Sequence, residues 1–191
     1  MLKALFSSVA VVLTLIAFIP YIRAILNGDT KPHVFSWVIW GISTSVVFIA
    51  QCQAQGCVGA IPIGLSGFVT LVIALLAFFK RGDASITPMD WCFLFAAFSA
   101  LPFWFATAEP LWAVVILTGV DLMGFGPTLR KAWHQPRDES LLFYSLFLVR
   151  NLLALAALES YSLSTVLFPL AIAAACALLI TLIWTQRQRQ L

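Results

Sequence analysis

The sequence predicts an all-α integral membrane protein: seven transmembrane helices, arranged as two parallel three-helix repeats joined by a linker helix. Three observations lead there. Of the 191 residues, 62% are hydrophobic and only 10% are charged, against roughly 25% charged in soluble domains. The apolar residues fall in seven long runs, each near the ~20 residues that cross a hydrocarbon core. A single ungapped register also aligns the first three runs with the last three.

So few charges cannot cover a water-soluble surface, and a mean hydropathy of +1.00 agrees. A soluble enzyme, a nucleic-acid reader and a disordered chain are therefore excluded. The net charge of +3 fits the mild basicity that membrane topology imposes, and no nucleic-acid partner is implied. The runs are continuous rather than alternating, which argues against a strand barrel.

The runs span about 4–26, 34–53, 58–79, 89–107, 111–130, 140–158 and 162–185. The first follows Lys3 as a signal peptide would, but Phe18-Ile19-Pro20-Tyr21-Ile22-Arg23 offers no small-x-small cleavage pattern. It is read as helix 1. The loops are short, so residues 1–191 form a single membrane domain. It comprises a first repeat over 1–81, a linker helix over 88–108 and a second repeat over 110–191.

Charge sets the orientation. Arg23, Lys31, Lys80, Arg81, Arg130, Lys131, Arg137, Arg187 and Arg189 lie on one side, nine of the 11 Lys and Arg. The positive side faces the cytoplasm. The N-terminus is then outside and the C-terminus inside, in a bacterial inner membrane, with the lipid bilayer as solvent. An even helix count would put Arg187 and Arg189 on the wrong side.

The repeat register is an offset of 107 residues. It pairs Pro20 with Pro127, Arg23 with Arg130, Phe18 with Phe125, Ala50 with Ala157, Pro62 with Pro169 and Lys80 with Arg187. Apolar matches come easily in this composition; two prolines and two basic positions in one register do not. Helix 4 has no counterpart. As a single span it makes the repeats parallel, related by a pseudo-twofold axis along the membrane normal.

Pro20-Tyr21-Ile22-Arg23, Lys31 and Ser36-Trp37-Val38-Ile39-Trp40 together resemble the PQ-loop signature. That signature has a proline near the end of one helix, a short polar loop and a Ser-Trp-rich start to the next. The second copy reads Pro127-Thr128-Leu129-Arg130, Ser140 and Phe143-Tyr144. The three-one-three plan is similar to that of the SWEET sugar facilitators and related vitamin carriers. The chain departs from the signature at Tyr21 and Thr128, which replace its glutamine, and the second copy lacks the Trp-x-x-Trp. The resemblance implies a solute carrier, in a fold that also serves amino-acid exporters and a cargo receptor.

Several residues are candidates for the chemistry. Asp121 and Arg150 lie near mid-depth in helices 5 and 6, where an unpaired charge costs at least ~2.5–3.5 kcal/mol. Matching depth predicts an intramembrane ion pair, either a lock between the helices or a solute- or proton-responsive device. Trp40 and Thr44 on helix 2 correspond in register to Phe147 and Asn151 on helix 6. Aromatic walls with an amide suit a small polar solute in a space between the repeats. An interhelical hydrogen bond is the alternative for Asn151. Trp37 belongs to the same face and also suits the membrane interface.

Pro20 and Pro127 either kink their helices as hinges of an inner gate or mark helix ends. Gly119, Gly124 and Gly126 suggest close packing of helix 5. Cys52 and Cys57 flank a short outer connection in an oxidising compartment, where they can form a disulfide or remain two thiols. Cys92 and Cys176 read as packing residues. His33 and His134 lie in loops, so no metal or haem site is expected and no cofactor is implied. No paired buried carboxylates, nucleophile–His arrangement or phosphate-binding glycine loop points to an enzyme. Helix 7 has no lysine for a retinal Schiff base.

The function expected is membrane transport of a small polar solute such as a sugar, amino acid or vitamin, by a facilitator or proton-linked carrier. The alternative is a non-transporting receptor or assembly component of the same fold. The partners are the solute, lipid and, as a candidate, a second copy of the chain.

Overall fold

The computed structural model describes residues 1–28, 34–80, 88–134, 136 and 141–189; inside the helices the side chains at 35, 36, 89, 90, 93, 94, 97, 100, 101, 103, 124, 126–128, 130, 131 and 134 are excepted. Lys31, His33, Ser36, Arg81, Gly124, Gly126, Pro127, Thr128, Arg130, Lys131, His134, Arg137 and Ser140, all named above, have side chains outside the described residues.

Seven helices and no strand are present among the described residues. They are α1 (Leu2–Asn27), α2 (Val34–Gln53), α3 (Cys57–Phe79), α4 (Pro88–Thr107), α5 (Pro110–His134), α6 (Leu141–Ala157) and α7 (Leu163–Arg189). Each coincides with one apolar run. The largest differences lie at the ends of α5 and α7, each of which continues four residues past its predicted run, so that His134 is helical rather than in a loop.

The helix ends follow local chemistry. Gly28 adopts the left-handed conformation at φ 84°, and its N–H caps the carbonyls of Ala24 and Ile25, ending α1. Pro88 and Pro110 each open a helix at its first residue, where the missing N–H is no loss. At the start of α7, Thr165 Oγ1 accepts the Ser162 N–H at 2.9 Å, a reciprocal cap one turn into the helix.

α1, α3 and α7 are long and apolar enough to cross a membrane. The 26 residues of α1 reach roughly 39 Å at 1.5 Å per residue, more than the ~30 Å hydrocarbon core. The distribution of polarity agrees. Leu5, Val12, Ile16, Ile19, Phe68, Leu75, Phe78 and Leu178 are exposed, while Ser7, Thr14, Ser43, Gln51, Thr70, Thr118, Arg150 and Asn151 are buried. An apolar exterior around a polar-studded interior fits a membrane protein and not a water-facing one.

Among the described residues, α3 packs between α1 and α2, and α7 packs between α5 and α6. α1 lies against α6, α2 against α5, α3 against α6, and α2 touches α7; α4 rests on α5 and α2. α5 and α6, consecutive in the chain, share no extended contact because α7 separates them.

Two interior prolines shape this packing. Proline has no N–H for the carbonyl four residues earlier. Pro62 thus frees the carbonyl of Val58, and Ser7 Oγ of α1 donates to it at 2.6 Å. Pro169 frees that of Thr165, and Gln51 Nε2 of α2 donates to it at 3.0 Å. In each case a side chain from another helix replaces the lost bond. Gly59 permits a second close approach. A Cβ there would lie 2.7 Å from Ala154 O and 2.9 Å from Leu158 N, so α3 and α6 meet backbone to backbone. Gly119 differs from expectation: a Cβ there meets nothing within 4 Å, so it serves no close packing.

Candidate functional site

The site forms where α1, α3 and α6 converge. Arg150 is 2% exposed, projecting from α6 into the seam with α1 and α3. Its Nε donates to Thr14 Oγ1 at 3.3 Å, Nη1 to Asn151 Oδ1 at 2.8 Å and Nη2 to Pro62 O at 3.0 Å. The Phe147 ring covers the guanidinium, 5.3 Å from its carbon to the ring centroid. The acceptors are themselves fixed. Thr14 Oγ1 donates to Ala10 O at 2.8 Å, and Asn151 Nδ2 to Phe147 O at 2.7 Å.

This overturns the Asp121–Arg150 ion pair. Arg150 bonds only neutral oxygens, and Asp121 Oδ1 is buried with no hydrogen-bond partner. The reason is topological. Matching depth brings two groups together only on neighbouring helices, and α7 stands between α5 and α6. Asp121 and Thr118 lie one turn apart on α5, a spacing that puts them on one face, and Thr118 Oγ1 also lacks a partner.

The four residues assigned to a solute space fall into two separate pairs. Trp40 and Thr44 sit on α2, half-buried and buried respectively; Phe147 and Asn151 sit on α6. Among the described residues no hydrogen bond or ring contact joins the pairs. Trp40 meets Trp37 edge-on at 5.8 Å, and Trp37 stacks on Tyr21 at 5.0 Å. Phe147 stacks on Phe143 at 4.5 Å and meets Phe18 of α1 edge-on at 5.5 Å. The Asn151 amide, expected to hold solute, instead orders Arg150.

Pro20 is exposed inside α1, which continues seven residues beyond it to Asn27, so Pro20 does not mark a helix end. Cys52 and Cys57 are joined as a disulfide across the α2–α3 turn. Of the remaining cysteines, Cys176 is buried, whereas Cys92 is exposed and therefore not a packing residue. Among the described residues no group of three or more His, Cys, Asp or Glu could hold a metal.

Thr14 and the Pro62 carbonyl are the site groups that the sequence reading missed. The 107-residue register contained a signal for the first: Thr14 is the counterpart of Asp121, and Ser43 that of Arg150. The register therefore pairs four polar positions with one another. Compared with protein-family models, curated proteins and solved structures, the chain matches none.

Proposed function

We propose that the chain is a seven-span protein of a bacterial inner membrane, built as two parallel three-helix repeats around α4, and that it carries a small polar solute as a facilitator or proton-linked carrier. The observation that carries this reading is the buried Arg150 cluster at the seam between the two groups of helices. A charge inside a membrane helix is costly and marks solute or ion pathways. Here one seam brings together Thr14 and Pro62 from the first group and Arg150 and Asn151 from the second.

The packing supports the repeat. Exchanging α1 with α5, α2 with α6 and α3 with α7 turns the α1–α6 contact into α5–α2, and the α3–α6 contact into α7–α2. All four contacts are present. The freed carbonyls before Pro62 and Pro169 are related by the same register. Parallel repeats of this kind place a solute site at their interface near the midplane. An enzyme is not part of this reading.

Uptake by the purified chain in proteoliposomes, against a panel of sugars, amino acids and vitamins, tests the proposal. At least one solute is expected to enter faster than into protein-free vesicles. Binding of a solute without any uptake would instead make the chain a receptor.

A further inference from the structure

We infer that Arg150 anchors a carboxylate, so that the solute is a small monocarboxylate. This rests on the carrier reading above and names its substrate class. The first ground is charge. A guanidinium stays ionised at any ordinary pH, and among the described residues no carboxylate pairs with this buried one. Its three hydrogen-bond acceptors are a hydroxyl, an amide oxygen and a backbone carbonyl, which solvate the charge without neutralising it. Asp121 lies on a helix that does not pack on α6. Of the other described acids, Glu159 in the connection between α6 and α7 accepts from the Val58 N–H through its Oε2, and Glu109 stands exposed before α5.

The second ground is the donor count. Arginine has five N–H donors. Three are used, leaving one hydrogen on Nη1 and one on Nη2. The two oxygens of a carboxylate can take one each, as in the fork-to-fork pairs that arginine forms. Charge selects the monoanion: the cluster carries a single positive charge, and a phosphate dianion would bring a second negative charge that nothing there balances. The rings beside the guanidinium, Phe147 with Phe18 and Phe143 around it, supply apolar surface for the body of such a solute.

Matched acids and amides test this on the full chain in detergent. The probes are lactate against lactamide, benzoate against benzamide, and glucose and inorganic phosphate alone, titrated calorimetrically at neutral pH. Each acid is expected to bind at least about ten-fold tighter than its amide, the worth of a charge-assisted bond. Asn151→Asp places a resident carboxylate where Nη1 now donates. It is expected to weaken acid binding at least about ten-fold, because the resident carboxylate then occupies the guanidinium. Should that variant not fold, the wild-type comparison of acid with amide decides.

Equal binding of acid and amide, binding of phosphate or glucose alone, or an Asn151→Asp variant that binds acids like wild type would each sink the anchor. Uptake into proteoliposomes separates this from the parent reading. Acids that bind but never enter vesicles leave the anchor standing and remove transport. Uptake of neutral solutes alone removes the anchor and leaves transport. No binding and no uptake removes both.

Discussion

Asp121 and Arg150 are two separate electrostatic problems. Arg150 is solvated by neutral oxygens, whereas Asp121 leaves Oδ1 with no donor at all. Their substitutions are therefore expected to act independently. Asp121→Asn removes a carboxylate that no basic group balances, and its melting temperature in detergent is expected to equal or exceed that of wild type. In a cycle with Arg150→Gln, the double variant should equal the sum of the singles within about 0.5 kcal/mol, as for sites that share no partner. A coupling above about 1 kcal/mol would restore the ion pair. Asn151→Ala takes one acceptor from the guanidinium and is expected to cost about 1–3 kcal/mol, read as a lower unfolding midpoint.

At the scale of helices, proline and glycine decide who touches whom. Ser7→Ala leaves the Val58 carbonyl without its α1 donor and is expected to cost about 0.6 kcal/mol, the average for interhelical bonds in membranes. Gly59→Val should do more damage. Its side chain would meet Ala154 O and Leu158 N, backbone atoms that cannot step aside, so α3 and α6 must part and Nη2 of Arg150 loses Pro62 O. A thermal melt that matches wild type would show that the approach of α3 to α6 is not tight. The helices themselves were legible because ~20 apolar residues leave few alternatives in a bilayer. Their neighbours were not: hydropathy along α5 and α6 is the same whether or not α7 lies between them. Hence adjacency in the chain does not bring Asp121 to Arg150, and matching register does not bring Trp40 to Asn151. Pro62 and Pro169 were visible as matched letters. That each frees a carbonyl for a partner helix depends on geometry that no single helix encodes.

For the molecule as a whole, the proposed topology predicts opposite fates for two reporter fusions. An enzyme active only in the cytoplasm should report from Leu191 and stay silent in the connection between α2 and α3. The reverse pattern would invert the chain, and signal from both would break the seven-span count. In the proposed arrangement, the bonds between the two helix groups are unevenly distributed. Besides the interior bonds of Arg150 to Thr14 and Pro62, Lys3 Nζ to Glu159 O, Val58 N to Glu159 Oε2 and Gln51 Nε2 to Thr165 O cross between the groups, these three at the end away from the basic loops. Toward the basic end, Phe18 of the first group meets Phe143 and Phe147 of the second edge-on. Directional bonds hold one fixed geometry, while ring contacts can slide and part at small cost. In the proposed topology, then, those directional bonds rivet the two groups together at the outer tip.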